Sequence, residues 1–249
     1  MGKVIVVGLG PGSVGQMTGD AVAALKSADL ICGYTVYIEL AKPVAPDTPV
    51  LSTPMTKEID RCRAALAEAA AGKTVAMVCS GDAGVYGMSG LVYELSGEFP
   101  GVEVEVVCGV TAALSGGAVL GAPLVHDFCA ISLSDRLTPW EKIERRLACA
   151  AEADFCIAIY NPSSKLRPGY LAKACDILLA SGKQPQTVCG VVRNIGREGE
   201  ECWTGTLAEL CEHEVDMFST VFIGNEDTRM LGDKMVTPRG YQGKPEWEK

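Results

Sequence analysis

Short apolar runs alternate along this chain with stretches in which apolar residues recur every three or four positions. Val4–Gly8, Leu30–Cys32 and Thr74–Cys79 are nearly uniform apolar runs, the pattern of strands buried on both faces. Val102–Val107 alternates Val with Glu and predicts a further strand. Between them, Thr18–Ser27, Glu58–Ala71 and Ser89–Ser96 carry helical spacing, and Gly72 ends the second. Strands alternating with helices predict a parallel α/β sheet.

The second half gives strands at Ala130–Leu133, Phe155–Tyr160, Thr187–Val192 and Ser219–Gly224, the last read as the final strand. Helices are predicted at Pro139–Ala151, Gly169–Ser181 and Leu207–Cys211. Trp203–Thr206 is a candidate antiparallel addition. No repeat or low-complexity linker separates the halves. The predicted domains are 1–115 and 116–240, followed by a polar tail at 241–249. Val106–Val125 is uncharged but rich in Gly and flanked by Glu105 and Asp127. A membrane helix would be more apolar with basic flanks, so a strand end, a turn and a buried small-residue helix are expected. Met1-Gly2-Lys3 leads directly into the first strand, with no secretory leader pattern.

Composition narrows the class. The 249 residues are 48% apolar and 21% charged, a globular balance. Aromatics are 6% and glycines number 28, so the core is built from small aliphatic residues with many tight turns. The net charge of −9 argues against a nucleic-acid stripe and against adhesion to anionic lipid. Eleven cysteines are present, none closer in sequence than Cys149 and Cys156. CxxC metal and redox motifs are therefore absent, no metal site is expected, and the thiols read as small core residues of a reduced cytoplasmic protein.

Several glycine-rich or polar segments follow predicted strands. Gly8-Leu9-Gly10-Pro11-Gly12 lacks the third glycine of a dinucleotide fingerprint, and no acidic residue ends the next strand. It reads as a tight turn, or as a loop that admits a ligand to the backbone. Ser80–Gly87 holds three glycines and sets Asp82 at the carboxyl end of a parallel strand, where open α/β sheets bind ligands. A turn with Asp82 as cap explains it equally well. The small side chains of Gly109–Ser115 leave room for a flat or bulky ligand, and close helix packing explains them more simply. His126 and Ser132–Arg136 lie around another strand, but no nucleophile elbow exists for a hydrolytic triad, and a structural role is the default for His126. Tyr160–Pro168 and Arg193–Arg197 are cationic loops on an acidic protein. They suit an anionic small molecule or simply solvated turns.

Taken together, these segments resemble the class III S-adenosylmethionine-dependent methyltransferases that modify tetrapyrroles, over Val4 to about Gly240. The first loop matches that family's G-x-G-P-G. Gly81–Gly87 matches its G-D-P-x-x-Y-G type loop with Ala83 in place of Pro, and Cys108–Ala112 matches P-G-V-[ST]-[SA] with Cys in place of Pro. Six further segments are similar to the family's ring-contracting branch: 33–37, 80–88, 120–128, 131–141, 160–165 and 192–197.

The resemblance implies two α/β domains, a mostly parallel sheet in the first and a mixed sheet in the second, with a cleft between them, and a homodimer. It implies methyl transfer from S-adenosylmethionine to ring carbon 17 of a precorrin or its cobalt analogue, coupled to ring contraction, with S-adenosylhomocysteine as product. Donor contacts carried over by position are Pro11, Gly81, Asp82, Ala83, Val85, Tyr86, Thr111, Ala112, Tyr160, Asn161 and Arg193. Arg136, Lys165, Arg167 and Arg197 are candidates for the substrate's carboxylates, and His126, Ser132 and Asp135 for the proton shift and lactone closure of contraction. Methyl transfer itself calls for alignment and exclusion of water. The alternatives are a class III enzyme acting at another ring carbon, a nicotinamide-dependent oxidoreductase, which the missing ribose carboxylate disfavours, and a non-catalytic tetrapyrrole carrier.

Overall fold

Val4 and Val6 of the first strand, β1 (Lys3–Gly8), pack into one hydrophobic cluster, while Ile5 and Val7 pack into another. The structure, a computed structural model, describes residues 2–164 and 168–241. Lys165, Arg167 and most of the predicted tail lie outside the described residues. The chain forms two compact units, Met1–Ala112 and Ala113–Lys249.

In the first unit, β1 is joined by β2 (Leu30–Tyr34), β3 (Val50–Thr53), β4 (Thr74–Cys79) and β5 (Glu103–Val107). The order is β3-β2-β4-β1-β5 and every pairing is parallel. Helices α1 (Gly19–Ser27) and α2 (Thr35–Ala41) contribute Leu25 and Ile38 to the cluster around Ile5 and Val7. Helices α3 (Glu58–Ala70) and α4 (Ser89–Ser96) contribute Leu66 and Val92 to the cluster around Val4 and Val6. Burial on both faces is why β1 and β4 are apolar without alternation. Chain leaves β1 and β4 toward opposite faces, which defines a switch point at their carboxyl ends.

The second unit begins near α5 (Ala112–Leu120) and the two-residue β6 (Gly121–Ala122). Its five-stranded sheet holds β7 (Phe128–Ser132), β8 (Cys156–Tyr160), β9 (Val188–Arg193), β10 (Glu201–Thr206) and β11 (Ser219–Ile223), in the order β10-β9-β11-β8-β7. Only β7 and β8 pair in parallel, so this sheet is mixed, as expected. Helices α6 (Trp140–Glu152), α7 (Tyr170–Ala180) and α8 (Leu207–Leu210) cover a core containing Leu147, Leu178 and Ile159. A capping box between Thr206 and Glu209 starts α8.

Helix α2, strand β3, the short β6 and a late hairpin escaped the sequence reading. Helix α2 is rich in Thr, Val, Tyr and Ile, poor helix formers, and burial of Ile38 and Ala41 holds it. Strand β3 is short and half exposed. Ser219–Ile223 is not the final strand. An antiparallel hairpin follows, β12 (Arg229–Leu231) and β13 (Lys234–Val236), and β13 pairs with β6. Its Gly232-Asp233 turn was the available signal.

Candidate active site

Three loops meet at the carboxyl ends of β1, β4 and β5. Gly10 and Gly81 exchange backbone hydrogen bonds: Gly10 N–H donates to Gly81 O at 3.0 Å, and Gly81 N–H to Gly10 O at 2.8 Å. Their φ angles, +70° and +68°, lie in the left-handed region that glycine adopts without strain. The approach of the third loop is closer still. A Cβ on Gly8 would lie 2.6 Å from Gly109 N.

Asp82 ties this arrangement together. One carboxylate oxygen accepts the amides of Gly84 (2.7 Å) and Val85 (3.0 Å), and the other accepts that of Gly109 at 2.9 Å. The capping reading of Asp82 is thus realised within its own turn, and the second oxygen extends it to another loop. Ala83 is fully buried in the core and Pro11 is buried, so neither offers an open side chain. Val85 and Tyr86 are 36% and 54% exposed, and Tyr86 has φ +55°, a conformation that stores roughly 1–3 kcal/mol in a non-glycine residue. Thr111 and Ala112 are half-buried. Exposed apolar and aromatic surface beside closely packed backbone suits a flat ring carrying polar groups.

In the second unit the carboxyl ends of β7, β8 and β9 share one sheet edge. Tyr160 Oη accepts the Ala113 amide at 2.8 Å, satisfying an orphan donor in the first turn of α5. Asn161, at φ +52°, donates from Nδ2 to Ser132 Oγ at 2.9 Å. Tyr170 Oη donates to Asp135 Oδ2 at 2.7 Å. The Tyr170 ring packs on Trp140, centroids 4.6 Å apart, with Lys173 Nζ over both rings at 5.1 and 5.9 Å. This cluster anchors a loop on which Arg136 is exposed and Leu137 is 98% exposed.

Two sequence expectations fare differently. Ser132 and Asp135 share this edge, but His126 does not. It precedes the amino end of β7, and the strand between them spans about 13 Å. His126 Nδ1 accepts the Asp127 amide at 2.9 Å. Arg193 is not an open cation: its Nε donates to Asp216 Oδ2 at 2.8 Å and Nη1 lies 3.6 Å from Glu201. The hydrogen bond to the Asp216 carboxylate holds the Arg193 guanidinium above its ordinary value. Arg197 sits half-buried in a turn, its N–H bonded to Asn194 O. No motif pointed to Asp216 as partner of Arg193, 23 positions away. The clustering of Trp140, Tyr170 and Lys173 was likewise missed, because it joins two helices. Among the described residues no cluster of His, Cys, Asp and Glu could hold a metal ion, and no helix is long and apolar enough to cross a membrane.

The chain thus combines an α/β unit whose parallel sheet ends in glycine-stitched loops with a second unit built on a mixed sheet. The chain belongs to the tetrapyrrole (corrin/porphyrin) methylases, whose family profile matches residues 3–211, and these are S-adenosylmethionine-dependent methyltransferases. It is 50% identical over 237 residues to a probable cobalt-factor III C(17)-methyltransferase of Salmonella typhimurium, covering 95% of this chain and 98% of that protein. Among solved structures it is similar to the methyltransferase CobJ, with TM-score 0.88 and 37% identity over 96% of this chain and 100% of that one. A uroporphyrin-III C-methyl transferase from Thermus thermophilus, complexed with S-adenyl homocysteine, matches with TM-score 0.72 and 25% identity over 90% and 92%.

Proposed function

We propose that this protein transfers a methyl group from S-adenosylmethionine to ring carbon 17 of a precorrin-3B-type macrocycle, coupled to contraction of the ring, in cobalamin biosynthesis. The observation that carries the reading is the end-to-end similarity to a C(17)-methyltransferase, together with three loops stitched at the switch point of a parallel sheet. That relative's name makes the cobalt-bearing macrocycle the first substrate to test.

The sulfonium supplies an electrophilic methyl, and the reduced macrocycle supplies an enamine-like carbon. What remains for the protein is alignment and exclusion of water. Val85 and Tyr86 offer apolar surface for the nucleoside, with Gly81, Thr111 and Ala112 as backbone neighbours. Asp82 acts through the loops it joins. Tyr160 and Asn161 act through α5 and Ser132. For the proton shift of ring contraction, Asp135 remains the candidate at this edge, with Ser132 beside it as a polar neighbour, since His126 is at the other strand end. The reading includes a homodimer, which rests on family resemblance alone, and a single 26 kDa species in sedimentation at micromolar concentration would overturn it.

The deciding experiment incubates the protein with S-adenosylmethionine and a panel of precorrins and cobalt-precorrins, followed by mass and absorption spectra. Gain of one methyl with the spectral change of a contracted ring supports the proposal. Methylation at another carbon without contraction would move the protein to another branch of the family.

A further inference from the structure

The hydroxyl of Ser132 is spoken for on one side only. Its oxygen accepts the Ser134 amide at 3.2 Å and Asn161 Nδ2 at 2.9 Å. A serine hydroxyl has two acceptor lone pairs and one donor hydrogen. Both lone pairs are therefore committed, and the hydrogen is excluded from both neighbours. Among the described residues none accepts it. Ser132 is half-buried at the carboxyl edge of β7, beside Tyr160 in the strand register.

Asn161 suits this task doubly. Its φ of +52° is a conformation that Asn tolerates better than most residues, and its amide supplies the N–H that fixes the serine oxygen. An aspartate there would only accept, and would draw the serine hydrogen to itself.

We propose that Ser132 Oγ–H is a preset hydrogen-bond donor for a side-chain carboxylate of the tetrapyrrole. The inference rests on the function proposed above and sharpens it. Ser132 then binds and orients the macrocycle. It does not serve as base or nucleophile in contraction, because no lone pair is left to take a proton or attack carbon.

The test titrates the cobalt-bearing tetrapyrrole by absorbance into wild type, Ser132→Ala, Asn161→Asp and the double variant, with S-adenosylhomocysteine affinity measured alongside. Ser132→Ala should weaken tetrapyrrole binding roughly tenfold and leave S-adenosylhomocysteine affinity unchanged. Asn161→Asp should match it for the tetrapyrrole. The double variant should be no weaker than either single one, since both changes remove the same donor. Multiplying effects would mean that Asn161→Asp acts by charge repulsion and would overturn the proposal. So would a Ser132→Ala protein that binds like wild type. If wild type binds no tetrapyrrole, the functional reading falls as well, an outcome distinct from binding that the variants leave untouched.

Discussion

Asp82 reaches across 27 residues of sequence to hold the Gly109 amide at 2.9 Å. The same carboxylate fixes Gly84 and Val85, so one side chain sets the spacing of two loops. Asp82→Asn leaves one accepting oxygen and turns an NH2 group toward a donor. We expect S-adenosylhomocysteine affinity to fall by roughly tenfold. Calorimetry checks this, and unchanged affinity would show that the strut is dispensable.

Gly109→Ala should be harsher. The added Cβ would overlap the Gly81 carbonyl oxygen and lie 2.6 Å from Gly8 C, both backbone atoms that cannot step aside. Overpacking of this kind typically destabilises by about 1–3 kcal/mol, or roughly 2–12 °C in melting temperature for a protein of this size. Scanning calorimetry should show that drop together with lost donor binding. An alanine variant with wild-type melting would mean the loops have slack.

Much of this was legible beforehand, for identifiable reasons. The apolar run Val4–Val7 signalled burial on both faces, and Cys156–Tyr160 likewise. Glycine spacing located the loops at Gly10, Gly81 and Gly109. Sequence could not show that Asp82 would also reach the Gly109 amide, because Gly109 follows a different strand. It could not show that Arg193 would be drawn to Asp216, 23 positions away. Treating His126, Ser132 and Asp135 as one group overlooked that a strand lies between the first and the others. Cys108 sits after an apolar run yet is exposed, since β5 is an edge strand.

Substrate charge recognition should therefore favour Arg136 over Arg193. Arg136 is exposed on the loop anchored by Asp135 and Tyr170. Arg136→Ala should raise the tetrapyrrole KM roughly tenfold and leave S-adenosylhomocysteine binding intact. Steady-state kinetics and calorimetry test both halves. A larger KM effect from Arg193→Ala than from Arg136→Ala would reverse the assignment.

Asp216 gives a pH dependence with a definite sign. Burial pulls its carboxyl upward, but hydrogen bonds from Arg193, the Phe218 amide and Ser219 outweigh it and hold the value below the ordinary 3.8. A depressed carboxylate contributes stability above the ordinary value and loses it as pH falls through the depressed one. Arg193→Gln should thus be less stable than wild type at neutral pH, and the gap should close below pH 3.8. Urea midpoints measured across that range would show it. A gap independent of pH would trace the loss to packing instead.

Thiol reactivity should divide the cysteines. Cys108, Cys149 and Cys202 are exposed. Burial pushes Cys32 and Cys62 up to about 12 and Cys79 and Cys129 up to about 11, and it raises Cys175 and Cys189 as well. Since the thiolate is the reactive form, a disulfide reagent at pH 8 should modify the three exposed residues rapidly and the six buried ones, Cys32, Cys62, Cys79, Cys156, Cys175 and Cys189, only after denaturation. Rapid modification of Cys32 or Cys189 in native protein would contradict the burial described.

Strand β1 pairs with Thr74–Cys79 and with Glu103–Val107, and has no partner nearer in sequence. On the ribosome, β1 must wait for about seventy residues before one flank can be covered, and about a hundred for the other. At about 5–20 residues per second, that is roughly 4–14 s for the first flank alone. Through that interval Val4–Val7 is a sticky apolar tetrapeptide on the nascent chain. Binding of a chaperone there, or slow translation between β1 and β4, would bear directly on how much of this enzyme escapes aggregation during synthesis.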